Sequence, residues 1–164
     1  MEVFDVVNEK DEVIGQATRE ECHSNPDLIH RTVHFTLVDK QSRSVLITQR
    51  SYSKKKDGGL WCFAGEHILV GETYEQAVRR GLKEEFGTTA GEIQEGAHRI
   101  FSYDTQREFV RFFLCFWEGA PIVVDRREII DQRWLSCEDL YKDFDSYSQM
   151  TQYWLKNVDF KSLL

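Results

Sequence analysis

The chain has 164 residues, of which 41 % are hydrophobic, 30 % charged and 13 % aromatic. A chain of this length buries roughly 70 % of the surface that it exposes when unfolded, and its 11 Phe, 6 Tyr and 4 Trp residues exclude intrinsic disorder. The formal net charge of -7 argues against a general binder of nucleic-acid polymers or of anionic membranes. We therefore expect a single domain over residues 1–164.

The first fifty residues are predicted to be rich in strands. Strands are expected at residues 3–7, 12–17, 33–38 and 44–49, because these segments alternate or are β-branched and are separated by turn residues. Thr18 is expected to cap a short helical turn that runs through Cys22, with Glu21 as the capping partner.

A helix is predicted over residues 74–86. Thr73 and Gln76 form a capping-box pattern before it, and Gly87 stands where a C-terminal glycine belongs. Further strands are predicted at residues 99–103, 108–117 and 132–135, the second being an aromatic, buried one, and helices are predicted to open at residues 136–139 and to span 146–157. This mixed order predicts an α/β or α+β fold with a mixed β-sheet sandwiched between helices.

The cysteines and the N-terminal segment predict a cytoplasmic protein. Cys22, Cys62, Cys115 and Cys137 share no paired spacing that would indicate disulfides or an all-cysteine zinc site. The first residues are acidic where a signal or transit peptide is basic, and no apolar run approaches the roughly 20 residues of a membrane span.

One sector of the predicted helix carries two adjacent carboxylates. At about 100° per residue, Ala77, Gly81, Glu84 and Glu85 fall together, with Arg80 at the edge. Mg²⁺ and Mn²⁺ favour oxygen ligands, so a carboxylate pair on a rigid helix is suited to hold such an ion beside a phosphate. Arg80 lies four residues before Glu84 and is placed to orient it.

The spacing of these residues resembles the Nudix box. The matching positions are Glu72, Arg80, Leu82, Glu84, Glu85 and Gly87. The resemblance implies a loop-helix-loop that binds a divalent metal and the diphosphate of a substrate. Two positions depart from the box: Glu66 stands where the opening glycine is expected, and Gly81 stands where the family has the glutamate of its Arg-Glu pair. We hypothesise that the Glu66 carboxylate replaces the missing one.

The N-terminal half is similar to the isopentenyl-diphosphate isomerase branch of the same family. His23 and His30 are seven residues apart, Arg50, Lys54 and Lys55 form a basic segment, and Leu60-Trp61 leads to His67. The resemblance implies that His23, His30 and His67 bind a metal, as Glu85 does on the helix, and that Arg50, Lys54 and Lys55 contact diphosphate. A histidine set of this kind suits Zn²⁺ or Mn²⁺ better than Mg²⁺.

The proton-transfer residues of the isomerase are largely missing. Its cysteine falls on Gly65, and of its later glutamates only Glu108 offers a carboxylate. Cys62 lies three residues before Gly65 and would reach the same point only through a shifted loop. His34 and His98 match no motif, and the residues alone assign them no role.

The sequence therefore predicts a metal-dependent hydrolase of a small organic or nucleoside diphosphate. Glu84, Glu85 and Arg80 are the expected catalytic residues, with Mg²⁺ or Mn²⁺ as cofactor and Zn²⁺ as a candidate at the histidines. Because Gly81 lacks the usual carboxylate, slow turnover or a nonstandard ligand set is expected. Two alternatives stay open, which are isopentenyl-diphosphate isomerase activity and a noncatalytic diphosphate-binding protein.

Overall fold

The computed structural model describes residues 1–164 and contains nine strands and four α-helices. The strands are β1 (Val3–Val7), β2 (Val13–Thr18), β3 (Ile29–Asp39), β4 (Ser44–Arg50), β5 (Trp61–Cys62), β6 (Ala64–His67), β7 (Ala90–Ser102), β8 (Arg107–Trp117) and β9 (Ile129–Ser136). The helices are α1 (Arg19–Ser24), α2 (Tyr74–Phe86), α3 (Gln149–Asn157) and α4 (Phe160–Leu163), with 3-10 turns at Asp139–Tyr141 and Phe144–Ser146. None of these helices combines the length and the apolar character needed to cross a bilayer.

Strand β3 is the branch point of one mixed sheet. Along one edge it pairs in parallel with β8, with His30 opposite Glu108. Along the other edge it pairs antiparallel with β1, then β6, then β4. Because one long strand is shared by four neighbours, residues from distant parts of the chain meet along β3.

The two faces of the sheet are covered by different helices, because side chains alternate between faces along a strand. Val33, Phe35 and Leu37 of β3 pack in one apolar cluster with Leu82 and Phe86 of α2. On the opposite face, strand β8 packs against α3 and α4; the buried residues there include Val110, Phe112, Leu114, Trp154, Leu155 and Phe160. The predicted mixed sheet between helices is confirmed.

The helix predicted over residues 74–86 is confirmed at both ends. The Thr73 hydroxyl accepts a hydrogen bond from the Gln76 N–H at 3.2 Å, which satisfies one of the unpaired N–H groups of the first turn. Gly87 closes the helix in the left-handed region with φ 58°. By contrast, the strand predicted at residues 99–103 is only the end of β7, whose alternation is broken by two irregularities in its pairing with β8.

The helix predicted to open at residues 136–139 is wrong. The Ser136 hydroxyl does accept from the Asp139 N–H at 3.1 Å, as an N-cap would, but only the short 3-10 turn Asp139–Tyr141 follows. The helix predicted over residues 146–157 begins later, at Gln149, because Ser148 is the residue that caps it.

Asp11, in the turn between β1 and β2, connects the first hairpin to the rest of the sheet. It adopts a positive φ of 65°. Its carboxylate accepts hydrogen bonds from Arg31 Nε at 2.6 Å, from Arg111 Nη2 at 2.9 Å and from the Tyr74 hydroxyl at 2.9 Å. These bonds hold the hairpin, and the helix α1 that follows it, against β3, β8 and α2.

Candidate functional site

Three histidines from three elements meet beside β3, and we call them the histidine group. His23 lies on α1, His30 on β3 and His67 on β6, which antiparallel pairing places alongside β3. One ring nitrogen from each lies within 4.8 Å of the others, and His23 Nε2 is 3.1 Å from His67 Nε2. The predicted convergence of these residues is therefore present in the structure.

Burial keeps two of these imidazoles neutral. The Phe4 ring stacks on His67 and His30, with ring centroids 4.9 Å and 5.4 Å away. Burial lowers the pKa of His30 to about 4 and that of His67 to about 3, because an imidazolium is poorly solvated there, and the neighbouring histidines add to the effect. The neutral imidazole is the form that binds metal ions.

His30 supplies a test of whether the histidine group suits a metal. It is completely buried, yet neither its Nδ1 nor its Nε2 has a hydrogen-bond partner. Buried polar atoms without partners are rare and costly, and they call for an explanation such as an ion. Glu108 Oε1 lies 3.9 Å from His30 Nε2, so a carboxylate lies next to the three imidazoles on the side of His30. This donor set suits Zn²⁺ or Mn²⁺.

Arg80 ties the loop before α2 to the helix. Its Nε and Nη2 each donate to a Glu72 carboxylate oxygen at 2.9 Å, and Nη2 also donates to the His67 carbonyl at 2.7 Å. Its Nη1 lies 3.3 Å from Glu66 and 3.4 Å from Glu84. The predicted contact between Arg80 and Glu84 is thus present, while the shorter bonds are made to Glu72.

Glu66 occupies the space above Gly81. A Cβ atom placed on Gly81 would lie 2.7 Å from Glu66 Cγ and 2.6 Å from Phe35 Cζ, so any larger residue there would displace both side chains. Glu85 is close enough to Glu66 for the two carboxylate charges to interact. Burial, with the nearby Glu85 charge, raises the pKa of Glu66 to about 7. Two carboxylates so close repel each other when ionised, and a cation between them relieves that repulsion.

The six predicted metal ligands therefore form two groups. His67 pairs with Thr32 and Glu66 with Val33, so the two neighbours on β6 face opposite sides of the sheet. We call Glu66, Glu84 and Glu85 the carboxylate group. The sequence predicted that the imidazoles and a helix carboxylate converge on one ion, but the carboxylate beside the histidine group is that of Glu108.

A cavity of about 220 Å³ lies beside β6. Its lining residues are Thr32, His34, Arg50, Lys56, Asp57, Cys62, Phe63, Gly65, Glu66, His67, Glu108, Ser148, Met150 and Thr151. Arg50 and Lys56 supply positive charge to it. Lys54, predicted to bind substrate, is instead paired with Glu128 at 2.7 Å, and Lys55 is exposed outside the cavity. Of the three lysines in this segment, Lys56 is the one that lines the cavity. Phosphate binding by Arg50, Lys54 and Lys55 stays a prediction.

Comparison with known proteins identifies the family of this chain. A model of the NUDIX domain matches residues 28–154, which is most of the chain. The chain belongs to the Nudix family. This Nudix protein is 28 % identical over 148 residues to YfcD of Escherichia coli K12, an uncharacterized Nudix hydrolase, and the match covers 90 % of this chain and 81 % of YfcD.

The isomerase-like branch is supported as well. The chain is 30 % identical over 130 residues to an isopentenyl-diphosphate Delta-isomerase of Serratia proteamaculans, covering 73 % of this chain and 69 % of the relative. Among solved structures, DR0079 from Deinococcus radiodurans superposes with a TM-score of 0.77 at 24 % identity, over 96 % of this chain and 99 % of that one. The last likeness shows that the two chains share a fold.

The sequence of this Nudix protein did not reveal every residue that lines the cavity. His34 was assigned no role, yet it lines the cavity and its ring lies over Gly65. Cys62 lines the same cavity, and burial raises the pKa of its thiol. For His34 no short-range signal was available, because its hydrogen-bond partner, Trp154, is 120 residues away.

Proposed function

We propose that this Nudix protein hydrolyses a small organic or nucleoside diphosphate with the help of a divalent cation. The observation that carries the proposal is the position of Glu66, whose side chain fills the space over Gly81 and lies beside Glu85. The helix thereby has a second carboxylate next to Glu85 although the residue at 81 is glycine. This supports a carboxylate group that can bind a cation, with Glu66 of β6 supplying the carboxylate that the helix lacks at position 81.

The residues would divide the work as follows. Arg50 and Lys56 would bind phosphate oxygens, since charge-assisted hydrogen bonds to phosphate are strong. Glu66, Glu84 and Glu85 would hold Mg²⁺ or Mn²⁺, and Arg80 would keep Glu66 in place from the other side. When bound, the ion would lower the pKa of a water molecule and offset charge on the bridging oxygen. In the reaction, the water oxygen would form a bond to one phosphorus while the bond from that phosphorus to the bridging oxygen breaks. The bridging oxygen would leave with the second phosphate, and the protons of the water would end on the two phosphate products.

A direct test is hydrolysis of a panel of diphosphates, including ADP-ribose and isopentenyl diphosphate, with Mg²⁺, Mn²⁺ or Zn²⁺. We expect Glu85→Gln to lose at least about 100-fold in rate, because it removes a ligand charge. Glu75→Gln is the matched control, since Glu75 lies on the same helix, is 61 % exposed and pairs with Arg79 outside the carboxylate group. Equal rates for wild type and Glu85→Gln would remove Glu85 from the mechanism.

Isopentenyl-diphosphate isomerisation is a second candidate, favoured by the histidine group and by Glu108 beside His30. It needs a proton donor and a proton acceptor on opposite faces of the substrate, and Gly65 offers no thiol. Incubation with isopentenyl diphosphate in deuterated water tests it, because isomerisation would place deuterium in the dimethylallyl product. No incorporation would end this candidate.

The noncatalytic alternative is tested with the same panel. A diphosphate that raises the melting temperature of the protein in the presence of each metal ion, without any turnover, would favour a binding protein over both the hydrolase and the isomerase. Turnover of any member of the panel would exclude it.

A further inference from the structure

His34 has a fixed orientation between two partners. It lies on β3 directly opposite Gly65 of β6. The Trp154 indole, from α3 on the same face of the sheet, donates its Nε1–H to His34 Nδ1 at 2.9 Å, and the two rings meet edge to face at 78°. The orientation of the His34 ring is therefore fixed by Trp154, which lies near the C-terminal end of the chain.

This hydrogen bond determines the tautomer of His34. An indole N–H can only donate, so His34 Nδ1 must be the acceptor and carries no proton. In the neutral imidazole the proton then sits on Nε2, and this atom has no hydrogen-bond partner within the protein. A protonated Nε2 has no lone pair, so His34 in this tautomer neither binds a metal nor accepts a proton through that atom.

Gly65 leaves room for the His34 ring at the cavity wall. A Cβ atom placed on Gly65 would lie 2.8 Å from His34 Cδ2 and 3.1 Å from Nε2, so a larger residue at 65 would push the ring away. Both residues line the cavity that Arg50 and Lys56 also line. The partly exposed His34 ring thus presents a free donor to the same space as two cationic side chains.

The geometry points to His34 as a substrate-binding residue, whose Nε2–H donates a hydrogen bond to a phosphate oxygen of the diphosphate held in the cavity. The inference rests on the proposed function, because it takes diphosphate as the ligand. It adds a neutral donor to the two cations, and it gives a reason for glycine at 65.

Binding of inorganic diphosphate in the presence of Mg²⁺, measured by calorimetry, tests the inference. We expect His34→Phe, which keeps a ring but removes the donor, to bind about tenfold to hundredfold more weakly, the usual loss for a hydrogen bond to a charged group. His34→Gln keeps an N–H donor and should recover part of the affinity. The control is His98→Phe, since His98 is exposed outside the cavity and its replacement should change nothing.

NMR of the histidine ring nitrogens distinguishes a binding role from a structural one, because the chemical shifts of His34 would not respond to diphosphate if the residue only supported the fold. We expect His34 to carry its proton on Nε2 in the free protein, and we expect the Nε2 signal to shift when diphosphate is added. Melting temperatures of the variants separate unfolding from lost binding.

The outcomes distinguish the two proposals. If the wild type binds diphosphate and His34→Phe binds it equally well, the role of His34 is wrong while the proposed function stands. The role of His34 is also wrong if its proton lies on Nδ1, or if saturating diphosphate leaves its Nε2 signal unchanged. If the wild type binds no diphosphate, both proposals fail.

Discussion

The two faces of strand β3 present candidate ligands of contrasting character. On one face, the histidine group combines a fully buried His30, neither of whose ring nitrogens has a hydrogen-bond partner, with the partly exposed His23 and His67. On the other, the carboxylate group is partly open to solvent and already engaged with Arg80. The histidine group therefore has a buried imidazole with no other partner, whereas under the proposed function the carboxylate group depends on Glu66 as the replacement side chain.

Among the substitutions that distinguish the two faces, the largest expected effect tests that replacement. We expect Glu66→Gly to lower diphosphate hydrolysis by about 10- to 100-fold, because loss of a metal-site carboxylate weakens both affinity and rate. Adding Gly81→Glu should restore most of the activity, since the new side chain enters the space that Glu66 leaves. The rescue is best made with Phe35→Leu, because Phe35 also crowds Gly81, and Phe35→Leu alone is the control. Failure of a folded rescue variant would contradict the replacement.

A second change acts on the histidine group alone. His30→Phe should make the metal-free protein more stable by about 1–3 kcal/mol, because it removes two buried polar atoms without partners. The same variant should lose the stabilisation by Zn²⁺, which for the wild type would reach about 2.7 kcal/mol at 100 times the dissociation constant. Denaturant unfolding with zinc or with a chelator measures both. A variant that zinc still stabilises fully would exclude His30 as a ligand.

A third change tests the crowding between Gly65 and His34. Gly65→Cys should cost about 1–3 kcal/mol of stability, because the new side chain overpacks against the His34 ring. His34→Ser should relieve most of that cost, so the two substitutions should couple in a double-mutant cycle. Purely additive free energies of unfolding would mean that the ring is free to move aside.

The smallest expected effect concerns the lysines. Lys56→Ala should raise the KM for diphosphate roughly fivefold, the size expected for a partly exposed charge of about 1 kcal/mol. Lys55→Ala, one residue away and outside the cavity, should leave the KM unchanged. Equal effects of the two substitutions would indicate a diffuse attraction by the whole basic segment.

The elements predicted well from the sequence are those whose signals are local. Helix α2 was bounded correctly because its capping box and its left-handed Gly87 lie within the helix ends themselves. Strand β7 was mostly missed, since its polar residues are held in place by pairing with β8 rather than by their own pattern.

In the candidate site, too, the features with local sequence signals were predicted and those that depend on tertiary contacts were not. The histidine spacing was readable along the chain, but the approach of Glu108 to His30 depends on parallel pairing between β3 and β8, which are almost eighty residues apart. The ion pair of Lys54 with the distant Glu128, and the position of Lys56 at the cavity, likewise depend on how distant parts of the chain meet. Contacts of this kind are set by tertiary structure, so no local pattern predicts them.

The hydrogen bonds of Asp11 also bear on the order in which the molecule assembles. Its partners Arg31, Tyr74 and Arg111 follow it by 20, 63 and 100 residues. During synthesis, the last of them leaves the ribosome long after the first hairpin, and contacts at such separations form slowly. We therefore expect the hairpin, and with it the helix that carries His23, to settle only after β8 has joined the sheet. A metal ion at the histidine group would then stabilise the chain once it has folded and would not start its folding.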